Sequence, residues 1–260
     1  MASEDPTAAV RAQFGRQAAH YTSSPIHAQG PDLQRLRDLL ALQGPEIVLD
    51  VATGTGHTAM ALAPHVTEVT ALDPTPEMLQ EAAQLAAQRG ITNVHFVAGV
   101  AEALPFADAA FDVVTVRRAP HHFQSIPQAL REMHRVLKPG GALAVIDQIS
   151  PDHPGGAALQ EQMERRRDPS HVRALNAAEW RDAIEDAGFT IRHLEIAGDR
   201  STFDTYFGTA GVSPEARDAI IAALRAGDPE ARAAMQFDDD PPPHGSFFRP
   251  YILVVASLPV

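Results

Sequence analysis

A chain of 260 residues with 45% hydrophobic content is long enough to bury a full core, and reads as one elaborated domain. Its formal charge of −12 argues against nucleic acid as substrate and against an anionic membrane surface, because both reward a basic face. With no cysteine, it has no disulfide framework, no thiol nucleophile and no Cys-based metal site.

The acidic start, Met1 to Pro6, lacks the apolar run of a signal peptide. The most apolar segment, Tyr251 to Leu258, falls far short of the ~20 residues that span a bilayer, so a cytoplasmic protein is expected. Two helices are predicted in the first 45 residues, around Ala8 to Ala19 and Asp32 to Leu42. Ile47-Val48-Leu49 is a continuous apolar run, as expected of a central parallel strand covered on both faces. It ends in Asp50 and passes through Ala52-Thr53-Gly54-Thr55-Gly56 into a helix. Such a glycine turn brings backbone N–H groups up to a ligand. Gly54-x-Gly56-x-x-Ala59 also satisfies the dinucleotide fingerprint, so the turn alone admits a nicotinamide cofactor.

A second strand, Val66 to Leu72, closes on Asp73. Thr75-Pro76-Glu77 then opens a helix to Gln88, with Thr as cap, Pro at the first helical position and an acid in the first turn. Gly90 stops it. Further strands follow at Asn93 to Val97, Phe111 to Val116 and Ala142 to Ile146, with a helix from Pro127 to Leu137 before the last. Asn176-Ala177-Ala178-Glu179 reads as a capping box, and strands near Thr190 to Ile196 and Tyr251 to Ser257 finish the sheet. Strands separated by helices imply right-handed crossovers and an α/β, doubly wound, mostly parallel sheet of seven strands. The domain reading is a helical lid over 1–45, an α/β core over 46–200, a helical insertion over 201–246 and the last strand in 247–260. The Asp238 to Pro243 run reads as a solvated loop.

Val48-Leu49-Asp50-Val51-Ala52-Thr53-Gly54-Thr55-Gly56 resembles the first motif of class I S-adenosylmethionine-dependent methyltransferases, and Asp73 with Pro74 to Leu79 resembles the second. Ala101 to Phe106, Phe111 to Val114 and His121-His122-Phe123 are similar to the middle of the ubiquinone/menaquinone-biosynthesis-like branch. Arg131 to Gly141 is similar to its hallmark segment before the fifth strand. The resemblance covers roughly residues 10 to 150. Beyond Ser150 it fades, apart from Arg167 to Arg173, which resembles segments of small-molecule methyltransferases.

The resemblance implies a Rossmann-like methyltransferase fold with S-adenosylmethionine as cofactor and a small-molecule methyl acceptor as partner. It implies cofactor contacts from Asp50, Ala52, Thr53, Gly54 and Gly56 at the turn, and from Asp73, Pro74 and Met78 after the second strand. Val100, Ala101 and Glu102 would meet the adenine, with Tyr21 and Arg117 completing the set. Asp73 is suited to accept both ribose hydroxyls, and Asp50 to receive the methionine ammonium. Met78 reads equally as a ribose contact or as core, and Tyr21 as a carboxylate donor or as packing. Val100 departs from the family, which often has an acid there to hold the adenine amino group. Either Glu102 or a backbone carbonyl substitutes, or affinity is lower.

A sulfonium is already a good leaving group, so transfer asks chiefly for in-line alignment and exclusion of water. Where the acceptor is a hydroxyl or an acidic carbon, a base helps. His121, His122 and Asp147 follow strands that end at the opening, against the plainer reading that the histidines cap a loop. Phe14, Tyr21 and His27 match the family's lid order. Arg165-Arg166-Arg167 reads as a solvated helix face, the alternative being an anionic substrate held by Arg167, His171 or Arg173. With His122, Phe14 and His27 these make the candidate substrate set. No histidine spacing suggests a metal. A monomer or homodimer is expected. Two other readings stay open, a nicotinamide-dependent oxidoreductase and a cofactor-binding protein that transfers no methyl.

Overall fold

The computed structural model describes residues 7–22, 28, 30–208, 211–239 and 245–260. Seven strands form one sheet: β1 (Ile47–Val51), β2 (Glu68–Asp73), β3 (Val94–Ala98), β4 (Phe111–Arg117), β5 (Leu137–Gln148), β6 (Thr190–Thr202) and β7 (Ser246–Ser257). Their order is β3-β2-β1-β4-β5-β7-β6. The pairs from β3 through β5 are parallel, while β7 runs antiparallel to both β5 and β6. The strand order therefore reverses between β1 and β4, the point beyond whose carboxyl ends open α/β sheets hold ligands.

Helices α1 (Ala8–Thr22) and α2 (Pro31–Leu40) lie before β1, and α3 (His57–Leu62) and α4 (Pro76–Gln88) follow β1 and β2. The rest are α5 (Ile126–Val136), α6 (Pro154–Arg167), α7 (Ala177–Asp186), α8 (Phe203–Gly208), α9 (Pro214–Ala226) and α10 (Pro229–Ala234). On one sheet face Leu130 and Met133 of α5 and Trp180 and Ile184 of α7 bury against Leu143, Val145 and Val254. On the other, Leu33 and Leu36 of α2 meet Ile146 and Leu253, and Ala59 and Leu62 of α3 meet Val48 and Val69. Burial on both faces explains the unbroken apolar run of β1. A separate cluster joins Leu159 and Met163 of α6 to Phe203, Tyr206 and Phe207 of α8, Ile220 and Leu224 of α9, and Phe247.

The capping box forms, with Asn176 and Glu179 satisfying each other's backbone N–H groups at 2.9 Å. Thr75 sits at the N-cap of α4 but gives no side-chain cap bond, and its own N–H donates to Asp73 instead. β5 begins at Leu137 rather than Ala142. Lys138 Nζ lies 2.8 Å from Asp112 Oδ2, which also accepts from the Ile47 N–H, so this start is clamped to β4 and β1. β6 and β7 extend past the expected spans because they pair as far as Thr202 with Ser246. α6 carries at its end the helix face expected at Arg165 to Arg167, but its start was not marked in the sequence; it begins Pro-Gly-Gly, a weak helix start, and buries Leu159 and Met163 against the segment 203–247.

Candidate functional site

A cavity of about 400 Å³ opens beyond the carboxyl ends of β1, β2 and β4, walled by the glycine turn and roofed by α1. Asp73, at the end of β2, reaches across to the turn. Its Oδ2 accepts the Gly54 N–H at 2.8 Å and its Oδ1 accepts the Thr75 N–H at 2.9 Å. A carboxylate has about four acceptor positions, so two remain for a ligand. Burial raises the Asp73 pKa against these hydrogen bonds. Asp50 is buried at the same end of β1, accepting from Thr53 Oγ1 at 2.6 Å and Thr115 Oγ1 at 2.7 Å. Burial still lifts it to about 6.

The two turn glycines differ in role. A Cβ on Gly54 would meet nothing within 4 Å, so this position opens on the cavity it lines. A Cβ on Gly56 would lie 3.1 Å from Ala82 Cβ and 3.3 Å from Met60 Cε. Gly56 thus lets α3 pack closely on α4, whereas Gly54 lines the cavity. The Gly54 N–H is engaged by Asp73 rather than bare. Ala52 holds φ 53°, a left-handed conformation costing a non-glycine residue about 1–2 kcal/mol.

Thr53, Pro74, Met78, Val100 and Ala101 line the same cavity, and Met78 is almost fully buried beside it. Glu102 also lines it, but Glu102 Oε1 accepts the Gln124 N–H at 2.8 Å and lies 3.3 Å from the Ser125 N. That carboxylate therefore already holds the loop that starts α5. Arg117 forms part of the wall through a buried ion pair, Nε to Asp32 Oδ2 at 2.9 Å, and Arg118 Nε reaches the same oxygen at 2.8 Å. Burial opposes the charge of Asp32, yet the two arginines hold its carboxyl below the usual range. Overhead, Phe14 meets Tyr21 edge-on at 5.5 Å and His122 at 5.0 Å. His57 Nε2, 3.2 Å from the Tyr21 carbonyl oxygen, ties the end of α1 to the glycine turn.

A second cavity of about 200 Å³ shares Phe14, Tyr21, Arg118 and His122 with the first and continues toward β5 and β7. In its wall His121 Nδ1 lies 2.6 Å from Oδ1 of the buried Asp147. Burial pushes Asp147 up to about 7, and burial with the neighbouring His171 pushes His121 down to about 3. Among the described residues, His121 Nε2 has no hydrogen-bond partner. His122 is held more tightly. Its Nδ1 lies 3.1 Å from both the Ser170 carbonyl and Ser170 Oγ, while Oγ gives its own proton to Asp168 at 2.5 Å. Burial and His121 together lower His122 to about 3.

The remaining expected substrate residues separate. Arg167 turns into the second cavity, unlike the exposed Arg165 and Arg166, which do form a solvated face. His171 is buried one layer behind the wall, its ring tilted against that of His121 at 5.6 Å, with Nε2 3.2 Å from Glu161. Arg173 is exposed and paired with Glu179, so the structure brings it to neither cavity. His27 lies outside the described residues. Asp32, Arg118 and Arg249 are wall or support residues that the sequence reading missed. The one local signal was Pro31-Asp32, an acid in the first turn of a predicted helix.

A methyltransferase domain model matches residues 48–141. The chain is 33% identical over 219 residues to the uncharacterized methyltransferase YcgJ of Bacillus subtilis, covering 84% of this chain and 87% of that one. The crystal structure of YcgJ superposes with a TM-score of 0.84, over 88% of this chain and 98% of that one. The crystal structure of a Bacillus halodurans protein gives 0.85 at 34% identity, covering 89% of this chain and 100% of that one. A demethylmenaquinone methyltransferase of Chlorobaculum parvum is 41% identical over 108 residues, 41% of this chain and 43% of that one.

Proposed function

The chain belongs to the class I S-adenosylmethionine-dependent methyltransferases, in the branch resembling the ubiquinone and menaquinone enzymes, and from that premise we propose that it methylates a small-molecule acceptor whose proton is taken by His121. The observation that carries this reading is a pair of adjoining cavities with a histidine–carboxylate dyad in the smaller one.

The larger cavity fits the cofactor. Its volume lies in the range of roughly 300–1,000 Å³ usual for small-molecule sites, and Gly54 leaves its wall open where a side chain would intrude. Asp73 would hold the ribose hydroxyls and Asp50 the amino-acid ammonium, directly or through water. Met78 and the Val100 to Glu102 segment would border the adenine. With Glu102 occupied by the Gln124 N–H, a backbone carbonyl is the better candidate for the amino group opposite Val100. Bound there, S-adenosylmethionine supplies an electrophilic methyl group for in-line displacement, leaving as S-adenosylhomocysteine.

The smaller cavity would take the acceptor. Phe14, Tyr21 and His122 stand at the junction, where they would keep the acceptor in line with the methyl group and exclude water. With Asp147 ionised, His121 Nδ1–H donates to the carboxylate and Nε2 is left with its lone pair. The acceptor proton then passes to Nε2; burial and the neighbouring His171 disfavour the imidazolium, and the ionised Asp147 beside Nδ1 offsets that cost. His122, with Nδ1 fixed by Ser170, reads as a positioning group rather than the base. On this reading α1 is a lid, and the segment 201–246 together with α6 closes the acceptor side.

The test is methyl transfer from labelled S-adenosylmethionine to a panel of phenols, amines and carbon acids. A transferable acceptor should lose about 10²–10⁴-fold in kcat on His121→Ala with little change in cofactor affinity. Unchanged kcat in that variant would remove His121 as the base.

A further inference from the structure

The acceptor cavity is bordered by charge that neither the glycine turn nor the dyad explains. Glu164 of α6 is buried behind its wall, 3.3 Å from Arg167 Nη1 and 3.8 Å from Arg249 Nη2. Burial works against its charge, but these two arginines bring it down to about 2, so it stays ionised near neutral pH. Two guanidinium groups thus flank one carboxylate. Both also lie over the face of Tyr206, with Arg167 at 4.6 Å and Arg249 at 5.2 Å from the ring centre. A fully buried aromatic ring beneath two planar cations fixes their orientation before any ligand arrives.

Arg249 is the less satisfied of the two. Its Nη2 donates to Gln148 Oε1 at 3.2 Å, and among the described residues its Nε and Nη1 have no hydrogen-bond partner. Burial, with Arg167 alongside and Glu164 opposing, lowers its pKa, whereas hydrogen bonds to acids raise Arg35, Arg135 and Arg225. The other acids of the cavity do not neutralise it. Asp168 is engaged by Ser170 and Asp147 by His121, and the exposed Asp199 forms no ion pair within 4 Å among the described residues.

We propose that the methyl acceptor carries an oxyanion, a carboxylate or a phosphate, and that Arg249, with Arg167 beside it on Tyr206, is the residue that grips it. This rests on the reading of the second cavity as the acceptor site, and deepens it. Both oxyanions match the guanidinium fork, and either one would place an opposite charge against a half-buried guanidinium whose Nε and Nη1 are open to a ligand. Because Arg249 and His121 line the same cavity, the anionic group and the atom to be methylated belong to one small molecule.

The test uses the full-length protein saturated with S-adenosylhomocysteine and three probes of like size: benzoate, phenyl phosphate and the neutral benzamide. Ligand-observed NMR titration should give at least one anion about tenfold tighter binding than benzamide, and Arg249→Met should abolish that preference. Arg249→Lys should retain part of it, as a charge without the planar fork. A preference for benzoate identifies a carboxylate acceptor and a preference for phenyl phosphate a phosphorylated one. Unchanged S-adenosylhomocysteine affinity in the variants shows that they fold. Equal binding of all three probes to the wild-type protein, or a preference that survives Arg249→Met, would overturn the proposal. Failure of the wild-type protein to bind S-adenosylhomocysteine would overturn the two-cavity reading beneath it, and the proposal with it.

Discussion

His121, on the segment that leaves β4, and Asp147, at the carboxyl end of the neighbouring β5, stand 2.6 Å apart, Nδ1 to Oδ1. The sheet register brings them together: Arg117, the last residue of β4, pairs with Ile146 in β5, one residue before Asp147. Burial of Asp147 makes its ionisation the step that switches the dyad. With its folded pKa raised to about 7, the carboxyl is protonated below that pH and donates to Nδ1, so Nε2 carries the proton and accepts none. Above it the carboxylate accepts from Nδ1–H and Nε2 is a base. Methyl transfer should therefore rise with pH through a single ionisation near 7. Asp147→Asn should give a low rate that no longer rises there, and a wild-type profile flat from pH 5 to 9 would contradict the assignment.

Gly54 and Gly56 should respond differently to alanine. Both hold positive φ, 56° and 79°, so each variant loses about 1–2 kcal/mol from backbone strain alone. Gly56→Ala adds a methyl group against Ala82 and Met60, and overpacking of this kind costs about 1–3 kcal/mol more. Gly54→Ala adds one that meets no protein atom. Thermal melts should rank Gly56→Ala as the less stable variant, while titration with S-adenosylhomocysteine should be weakened most by Gly54→Ala. The reverse order in both measurements would mean that the open side of the turn has been misassigned.

Asp32 is fully buried and balances both Arg117 and Arg118. Removing the carboxylate with Asp32→Asn takes a buried ion-pair partner from both guanidinium groups, at a cost of about 3–5 kcal/mol in unfolding free energy. Its pKa is depressed in the folded chain, so its contribution is complete above its unfolded pKa of about 3.9 and is lost as pH falls through the folded value. Denaturant unfolding at pH 7 should reveal the full deficit, and the gap between variant and wild type should narrow below about pH 4. A variant as stable as wild type at pH 7 would contradict the role.

The central half of the molecule was legible because local chemistry dictates it. A strand buried on both faces is apolar until it reaches the site, where Asp50 stands, the turn after it needs residues that tolerate positive φ, and β2 ends on the acid Asp73. The hallmark segment before β5 was legible for a different reason than its position near the site suggests. Arg135 spans Glu132, Asp108 and the carbonyls of Leu104 and Phe106, so the segment is a clamp on the preceding loop and not a wall of either cavity. What could not be read were side chains whose role is set by a distant partner. Nothing in the local pattern around Arg249 says that Glu164 and Tyr206 lie beneath it, or that Asp32 anchors Arg118 from 86 residues away. For the same reason Arg167 and Arg173, six residues apart in one motif, end respectively inside and outside the second cavity.

The most direct test of the account is calorimetric titration of S-adenosylhomocysteine into the wild-type protein, Asp73→Ala and His121→Ala. If the larger cavity holds the cofactor and the smaller one the acceptor, the wild-type protein binds, and Asp73→Ala weakens binding by about 1.5–3 kcal/mol, the range for hydrogen bonds to a charged group. His121→Ala then binds as the wild type does. Full affinity in Asp73→Ala, or equal weakening in both variants, would contradict the division of the site into two chambers.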